Sequence, residues 1–509
     1  GNRRLRHWEI FGSCLTLSLS IPIIKIWRAM DHESFRRWAH EFADWMADYF
    51  AHIGEYPVKP DLRPGDIKKQ LPAGPPVAGE SMEAIFRDFQ ELILPGMTHW
   101  QHPQFFAYFP ASRSTPSVLA EMLTAALGAQ CMLWFTSPAA EELEERCMEW
   151  LRQMCGLPDA FVGSIQETAS AATLIALLMA RERISGFRIS REGFHGQPRL
   201  RVYASEHVHS SVNKAVRIAG YGADNLVLIP TDEAFAMRPQ ALEAAIREDL
   251  EKGYHPVCVV AATGTTSSTA LDPLLPIGEI CRQYECFFHV DAAYAGTALL
   301  LPEMRWIADG VELADSFVFN PHKWLFVNFD CSTFFVRDKD LLVNTFAITP
   351  EYLRTAEDRL VNNYRDWGIQ LGRRFRALKL WFVIRSYGVE GLREKLRLHL
   401  RCGEWLREQI EAAPDFELLA PVPLNLVCFR YRPAGNHSEA DLDALNETLL
   451  STLNNSGKIL LTQTRLKGRY TIRMVAGQTE TTLADVQQGW TFIAETARGM
   501  PTSSEKDAK

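Results

Sequence analysis

Lys323 sits in the stretch "DSFVFNPHKWLFVNFDCS", just past an apolar run and between His322 and Trp324. A solvated surface lysine needs no such setting. An amine that must shed its proton to act as a nucleophile does. Other reactive residues fall at the ends of other apolar runs. Asp291 closes "CFFHVD", Thr265 and Thr266 follow "CVVAATG", and His207 and His209 follow "RVYAS". Asn320 stands three residues before the lysine. "GSIQETASAAT" places Thr168, Ala169 and Ser170 at the start of a helix, where unpaired amides and the dipole favour an anion.

This set meets the needs of pyridoxal phosphate: a lysine for the aldehyde, a carboxylate for the ring nitrogen, a helix start for the phosphate, and a flat partner for the ring. Singly, each residue has an ordinary reading. A strand-end aspartate is usually a turn residue, and a lone lysine is usually solvated. The "HVH" histidines could bind zinc, but no carboxylate or cysteine spacing nearby completes such a site, and no metal is expected. The conjunction in one block, with Asp291 preceding Lys323, carries the assignment.

The elements that must position these residues follow from periodicity. Short β-rich runs appear at 201–205, 225–230, 256–264, 286–291 and 316–320, with helical stretches between several of them. Continuous apolar strands alternating with helices predict a mostly parallel α/β sheet covered on both faces. Ligands of such sheets bind at the carboxyl ends of the strands. "SPAAEELEERCMEWLRQMCGLP" predicts a helix capped by Ser137, opened by Pro138 and ended by Gly156. Upstream, 31–53 is an amphipathic helix with an aromatic stripe, 56–80 a Pro- and Gly-rich connector without regular structure, and 81–94 another helix. Past about 380 come a helix, a strand at "NLVCFRYRP", two strands around a Lys-Gly turn, and a closing helix, which together predict a small α+β domain. The expected division is an extension at 1–29 outside the fold, with Met30 read as the natural start. An N-terminal helical segment (30–114), a large domain (115–380), a small domain (381–497) and a tail (498–509) follow.

Among 509 residues, 47% hydrophobic and 23% charged is ordinary for a globular protein. A net charge of −8 and the lack of a basic stripe argue against nucleic acid. The apolar run within 1–29 is short for a membrane span. Ten cysteines without a C-x-x-C pair read as reduced thiols in a cytoplasmic protein.

"FNPHKWLFVNFDCS", "VDAAYAG", "GMTHWQHPQFFAYFP", "GSIQETASAATLIALL", "HVHSSVNKA" and "NYRDWGIQLGRRFRALKLWFVIRSYGVEGL" closely resemble the group II pyridoxal-phosphate decarboxylases, above all the aromatic-L-amino-acid decarboxylases, over essentially 30–497. The resemblance implies a fold-type I (aspartate-aminotransferase-like) architecture and a homodimer. It implies that Lys323 holds the cofactor aldehyde, Asp291 pairs with the ring nitrogen, Ala293 lies against the ring and His209 stacks on its other face. Thr168, Ala169, Ser170 and Asn320 would bind phosphate, with Thr265 nearby. Trp100, Tyr108, Phe109 and Pro110 would line the side-chain pocket. Tyr352, in "TPEYL", would be the proton donor on a mobile loop spanning 345–361.

Relatives that make aldehydes typically carry Phe at the tyrosine position, and others depart at the stacking histidine. Tyr352 and His209 therefore favour simple decarboxylation over aldehyde synthesis. Gly372 stands where tyrosine-preferring relatives tend to carry Ser, and Met132 where animal relatives commonly carry an aromatic; the resemblance therefore implies room for an indole and ranks tryptophan ahead of phenylalanine, tyrosine and DOPA. An aminotransferase of the same fold and a non-catalytic relative remain as remote alternatives.

Overall fold

The computed structural model describes residues 30–348, 357 and 360–500. Strands β1 (Val162–Gln166), β2 (Leu200–Ser205), β3 (Leu226–Ile229), β4 (His255–Ala262), β5 (Phe287–Asp291), β6 (Ser316–Phe319) and β7 (Ser332–Val336) form one sheet, in the order β1-β7-β6-β5-β4-β2-β3. The pairs β2–β3, β2–β4, β4–β5 and β5–β6 are parallel, and β7 runs antiparallel to both β6 and β1. The five expected strands all form.

β1 and β7 are additions to the expectation. β1 is hidden in sequence by Gly163, which is there for packing: a Cβ at 163 would lie 2.3 Å from the Met148 methyl and 2.9 Å from the Phe335 ring. β7 is masked by the apolar run that precedes it.

Strand residues alternate between two cores, as a sheet covered on both faces requires. Val259, Ala261, Phe288, Val290, Phe317 and Phe319 face one core, which includes the Pro138–Cys155 helix. Cys258, Val260, Phe287 and Val318 face the other, built on the Ala169–Ser185 and Ser210–Ile218 helices.

The Pro138–Cys155 helix opens with proline and ends at Gly156, whose φ of +67° is left-handed. Ser137 does not cap it; its hydroxyl donates to the Gln130 carbonyl at 3.0 Å instead. The 56–80 connector also departs from expectation, because Asp66–Gln70 forms a short helix between its prolines, with the Arg63 N–H donating to Asp66 Oδ2 at 2.9 Å.

The His32–His52 helix has no buried residue. Part of its aromatic stripe meets the next helix, with Trp38, Phe42 and Trp45 lying 5.0–6.1 Å from Phe86. No helix among the described residues is long and apolar enough to cross a membrane.

A second sheet, β10-β11-β9-β8, is antiparallel: β8 (Phe416–Leu418), β9 (Leu426–Tyr431), β10 (Thr462–Leu466) and β11 (Arg469–Val475). The expected hairpin turn is present, with Lys467 and Gly468 at φ of 50° and 81°, as a two-residue hairpin loop requires. β8 and the Glu439–Asn455 helix extend the expectation for this region.

The expected boundary near 380 falls inside the Arg376–Ala412 helix, which breaks at Gly388, with φ 63° and ψ 172°. A Cβ there would meet nothing within 4 Å, so the need for glycine is purely conformational. Gly388→Ala should lower unfolding stability by about 1–3 kcal/mol through backbone strain alone. Denaturant titration checks this; an unchanged midpoint would show that the break relaxes into continuous helix.

Candidate active site

The carboxyl ends of β1, β2, β4, β5 and β6 converge on a cavity of about 220 Å³. Its walls include Phe109, Thr168, Ala169, Ser170, His209, Thr265, Asp291, Ala293, Asn320 and Lys323. Phe109 comes from the chain ahead of β1; the others lie far apart in sequence and meet because each follows a strand of the same sheet.

Lys323 lies in a four-residue helical turn, Pro321–Trp324, that starts directly after β6. Three contacts fix the turn. The Ser112 hydroxyl donates to the Lys323 carbonyl at 2.5 Å, and the Ser112 N–H donates to the His322 carbonyl at 2.9 Å. Trp324 is fully buried, and its indole N–H donates to His399 Nδ1 at 2.9 Å. The apolar setting of the lysine is thus explained: Trp324 is the root that points its neighbour into the cavity. Desolvation pushes the Lys323 ammonium below its ordinary pKa, and the negative charge of Asp291 opposes the shift. The amine also lies 5.4 Å from the Phe109 ring centre, where the ring face favours its charged form.

Asp291 is the last residue of β5 and is buried. Its Oδ1 accepts the Ala293 N–H at 3.0 Å, which holds the short Ala293 side chain at the cavity wall. Gly264, with φ +87°, lets the turn after β4 close against this loop; a Cβ there would lie 2.7 Å from the Ala295 Cβ.

His209 stands exposed at the mouth. The Ser211 N–H donates to its Nδ1 at 3.2 Å, so the ring proton of the neutral form belongs on Nε2. Its pKa is lowered by desolvation and by the Lys323 and Lys214 charges, against the pull of Asp291. His322, beside the lysine, accepts the Cys331 N–H at Nδ1 (2.9 Å) and is pushed down to about 3, chiefly by burial, so it remains uncharged.

Thr168 caps the Ala169–Ser185 helix, its hydroxyl accepting the Ala171 N–H at 3.3 Å. The first amides of that helix have no intrahelical acceptor and open on the cavity. Asn320 is buried, and its Oδ1 accepts the Ser332 hydroxyl at 2.6 Å, which leaves its amide N–H groups as donors toward the cavity. Arg376 braces both ends of this wall, reaching Asp330 at 3.0 Å and Glu167, the residue before Thr168, at 3.7 Å.

The donor set fits pyridoxal phosphate. It offers one amine held below its usual pKa, one buried carboxylate, a helix start for a phosphate, and a methyl and an imidazole for the faces of a ring.

Several expected residues lie elsewhere within this chain. Trp100 and Tyr108 stack on each other, with centroids 5.6 Å apart, and remain partly exposed. Pro110 packs near Gly477, the Met132 carbonyl accepts the Arg365 N–H, and Gly372 lies beside Gln130. Tyr352 lies outside the described residues. His207 packs edge-on against Phe235 at 5.4 Å and does not line the cavity. Ser211, Gly264 and Tyr294 line the cavity without having been singled out. Tyr294 stacks between Phe109 (3.9 Å) and Trp324 (4.9 Å), a role that "VDAAYAG" alone does not reveal.

Residues 64–432 match the family model of the pyridoxal-dependent decarboxylase conserved domain. The chain is 42% identical to the aromatic-L-amino-acid decarboxylase of Bos taurus, covering 92% of this chain and 97% of the relative. It is 40% identical to the phenylacetaldehyde synthase of Arabidopsis thaliana, covering 93% and 98%. The crystal structure of Oryza sativa TDC with PLP and tryptamine superposes with a TM-score of 0.90 at 34% identity, covering 93% of this chain and 99% of that one.

Asp291→Asn removes the negative charge that opposes desolvation of the amine, so Lys323 should titrate at lower pH than in the parent. The pH dependence of its acylation by a limiting anhydride, read by mass spectrometry on cofactor-free protein, measures the shift. Coincident profiles would show that the carboxylate does not act on the amine.

Proposed function

This chain belongs to the pyridoxal-dependent decarboxylase family, and on that premise we propose that it converts aromatic L-amino acids, tryptophan first, to arylalkylamines and carbon dioxide. The observation that carries the reading is the placing of Lys323, with its lowered amine pKa, in one cavity with Asp291 and the Thr168–Ser170 helix start.

The residues divide the work by chemistry. Bound in the cavity, pyridoxal phosphate supplies an electron-withdrawing ring that accepts the electron pair left on Cα when carbon dioxide departs. Lys323 would contribute the amine that holds the cofactor aldehyde, and its lowered pKa makes the nitrogen lone pair more available than that of a solvated lysine. Asp291 keeps a proton on the ring nitrogen by charge, from a buried position where the effect is strong. The Ala169 and Ser170 amides and Asn320 would hold the phosphate. His209, neutral and with its proton on Nε2, would cover a face of the ring. Tyr352 returns a proton from its phenol to Cα, which separates amine formation from loss of electrons to oxygen.

Tryptophan is ranked first because residue 372 is glycine, whose missing side chain leaves more room than the serine of tyrosine-preferring relatives. Met132 adds unbranched, adaptable bulk. The aldehyde-forming reading keeps one point of support, the 40% identity to a phenylacetaldehyde synthase. A homodimer is supported by the row Leu119, Met122, Leu123 and Leu127, exposed along one helix, with Phe35 and Phe135 exposed as well. The substrate-pocket roles of Trp100, Tyr108, Pro110, Met132 and Gly372 then belong to the assembled dimer. Nine described cysteines are buried and unpaired, in keeping with a reducing cytoplasm.

Lys323→Ala should abolish steady turnover and the visible absorbance of the bound cofactor. Near-normal turnover in that variant would end the assignment. Incubation with a panel of aromatic amino acids, with amine, aldehyde, carbon dioxide and peroxide measured together, ranks substrates and decides reaction fate. Tyr352→Phe should still release carbon dioxide but make amine roughly a hundredfold more slowly, with aldehyde and peroxide rising. Amine at the parental rate without aldehyde would remove Tyr352 from the donor role.

A further inference from the structure

Behind the edge strand β1 lie two buried carboxylates and one arginine. Glu141 and Glu144 stand three residues apart on the first turns of the Pro138–Cys155 helix, so they share a face. Arg373 enters from the segment just before the Arg376–Ala412 helix and is buried too.

Glu144 Oε1 accepts Arg373 Nη2 at 2.6 Å and the Ile165 N–H at 2.8 Å, while Arg373 Nη2 also donates to the Ile165 carbonyl at 2.7 Å. Both main-chain groups of Ile165 in β1 are thereby satisfied by side chains. The arginine main chain is equally committed: its N–H donates to Gln130 Oε1 at 2.7 Å, and its carbonyl accepts the Cys131 N–H at 3.0 Å.

Glu141 has no such company. Its Oε2 receives the Tyr364 N–H at 3.4 Å, and its Oε1 is buried without a hydrogen-bond partner among the described residues. Arg373 Nη1 is likewise buried without one. Glu144 and one arginine nitrogen already form a complete pair, so a second charge at Glu141 would be buried with poor compensation. The titratable and charged groups around it are Glu144 on its own helix, Arg373, Arg365 and Tyr364 on the 360–375 segment, and Cys131 on the 130–136 segment.

We infer that Glu141 is a positioning residue that, by keeping its proton, holds the 363–373 segment onto the Pro138–Cys155 helix and β1. When that proton leaves, the carboxylate faces Glu144 across the shared arginine and the segment loosens. Desolvation first, then Glu144, pushes the Glu141 carboxyl up to about 8, so the segment's hold weakens as pH rises above the ordinary carboxylate range and through about 8. The inference concerns anchoring and is independent of the reaction assigned to the cavity. The segment's position directly after the stretch that carries Tyr352 gives it a route to turnover only if the proposed donor role holds.

Hydrogen exchange of the full-length holoenzyme, read on peptides covering 360–375 and corrected for the intrinsic pH dependence of exchange, tests it. In the parent, protection should fall by about tenfold between pH 7 and pH 9, since one unit above its pKa a group is about ten-to-one ionised. Glu141→Gln keeps the shape of the protonated acid and should hold its protection level across that range. Glu141→Met, also without a titratable group, repeats the test if the glutamine variant folds poorly. A parental profile flat from pH 7 to 9, or the same fall in both variants, would overturn the inference. Decarboxylation assays on the same samples separate this result from the functional assignment, because the exchange change is expected whether or not any amino acid is turned over.

Discussion

An amine and a carboxylate brought together out of water set the terms for everything around them. Removing Lys323 from solvent favours the neutral amine, and Asp291 favours the ammonium. The amine is useful only while neither influence wins outright. Full desolvation without a carboxylate would leave a weakly basic lysine, and a close ion pair would leave a charged one unable to attack. The structure holds this balance by fixing the two residues on different strands, β5 and the turn after β6, whose spacing is set by the β5–β6 ladder. Trp324, Ser112 and the Phe109–Tyr294–Trp324 stack then prevent the lysine turn from drifting.

Much of that plan was legible in sequence because it obeys one rule of parallel sheets: reactive residues gather at the strands' carboxyl ends. Asp291, Lys323, Asn320 and Thr265 lie just past apolar runs and Thr168 at a helix start, and the cavity unites them. The rule was blind where a residue acts from the side. Tyr294 serves through stacking, and Gly264 through closeness to Ala295, and neither has a composition signal. β1 and β7 were missed because a glycine interrupts one and an apolar loop merges with the other. Ser137 has a capping sequence but spends its hydroxyl on Gln130, a case where tertiary contact overrides local propensity. Glu141, in the first turn of the same helix, carries no sequence signal for its burial beside Glu144, which is a tertiary fact.

The small sheet also reaches the cavity, through a residue that sequence reading passed over. Arg473 on β11 is buried and donates to the carbonyls of Thr266 and Ser267 at 2.7 and 3.2 Å and to the Thr462 hydroxyl at 2.8 Å. Its charge lies 5.6 Å from the Phe109 ring centre, on the ring that also faces Lys323. The loop that follows β4 therefore takes its shape from chain some two hundred residues away, as the Arg473–Thr266 separation of 207 shows. The shape of that loop therefore depends on contact with the small sheet as well as on the large sheet that carries it.

The same logic explains the row of cations where the Arg376–Ala412 helix begins. Arg373 pairs with Glu144, Arg376 spans Asp330 and Glu167, and Lys379 meets Glu121 at 2.9 Å. Buried pairs of this kind contribute little net stability, because desolvation offsets most of their attraction. Their effect is directional: an arginine between two carboxylates fixes distances that apolar packing would leave free to slide. Glu167 precedes the helix start at Thr168, and Asp330 lies on the loop that returns from Lys323. One guanidinium thus ties the helix-start end of the cavity to its amine end. A methionine of equal bulk at 376 would keep the core filled and lose that tie, leaving two part-buried carboxylates unpaired. The need for arginine at this position is therefore geometric, arising from the cavity it spans and only weakly from the stability of the fold.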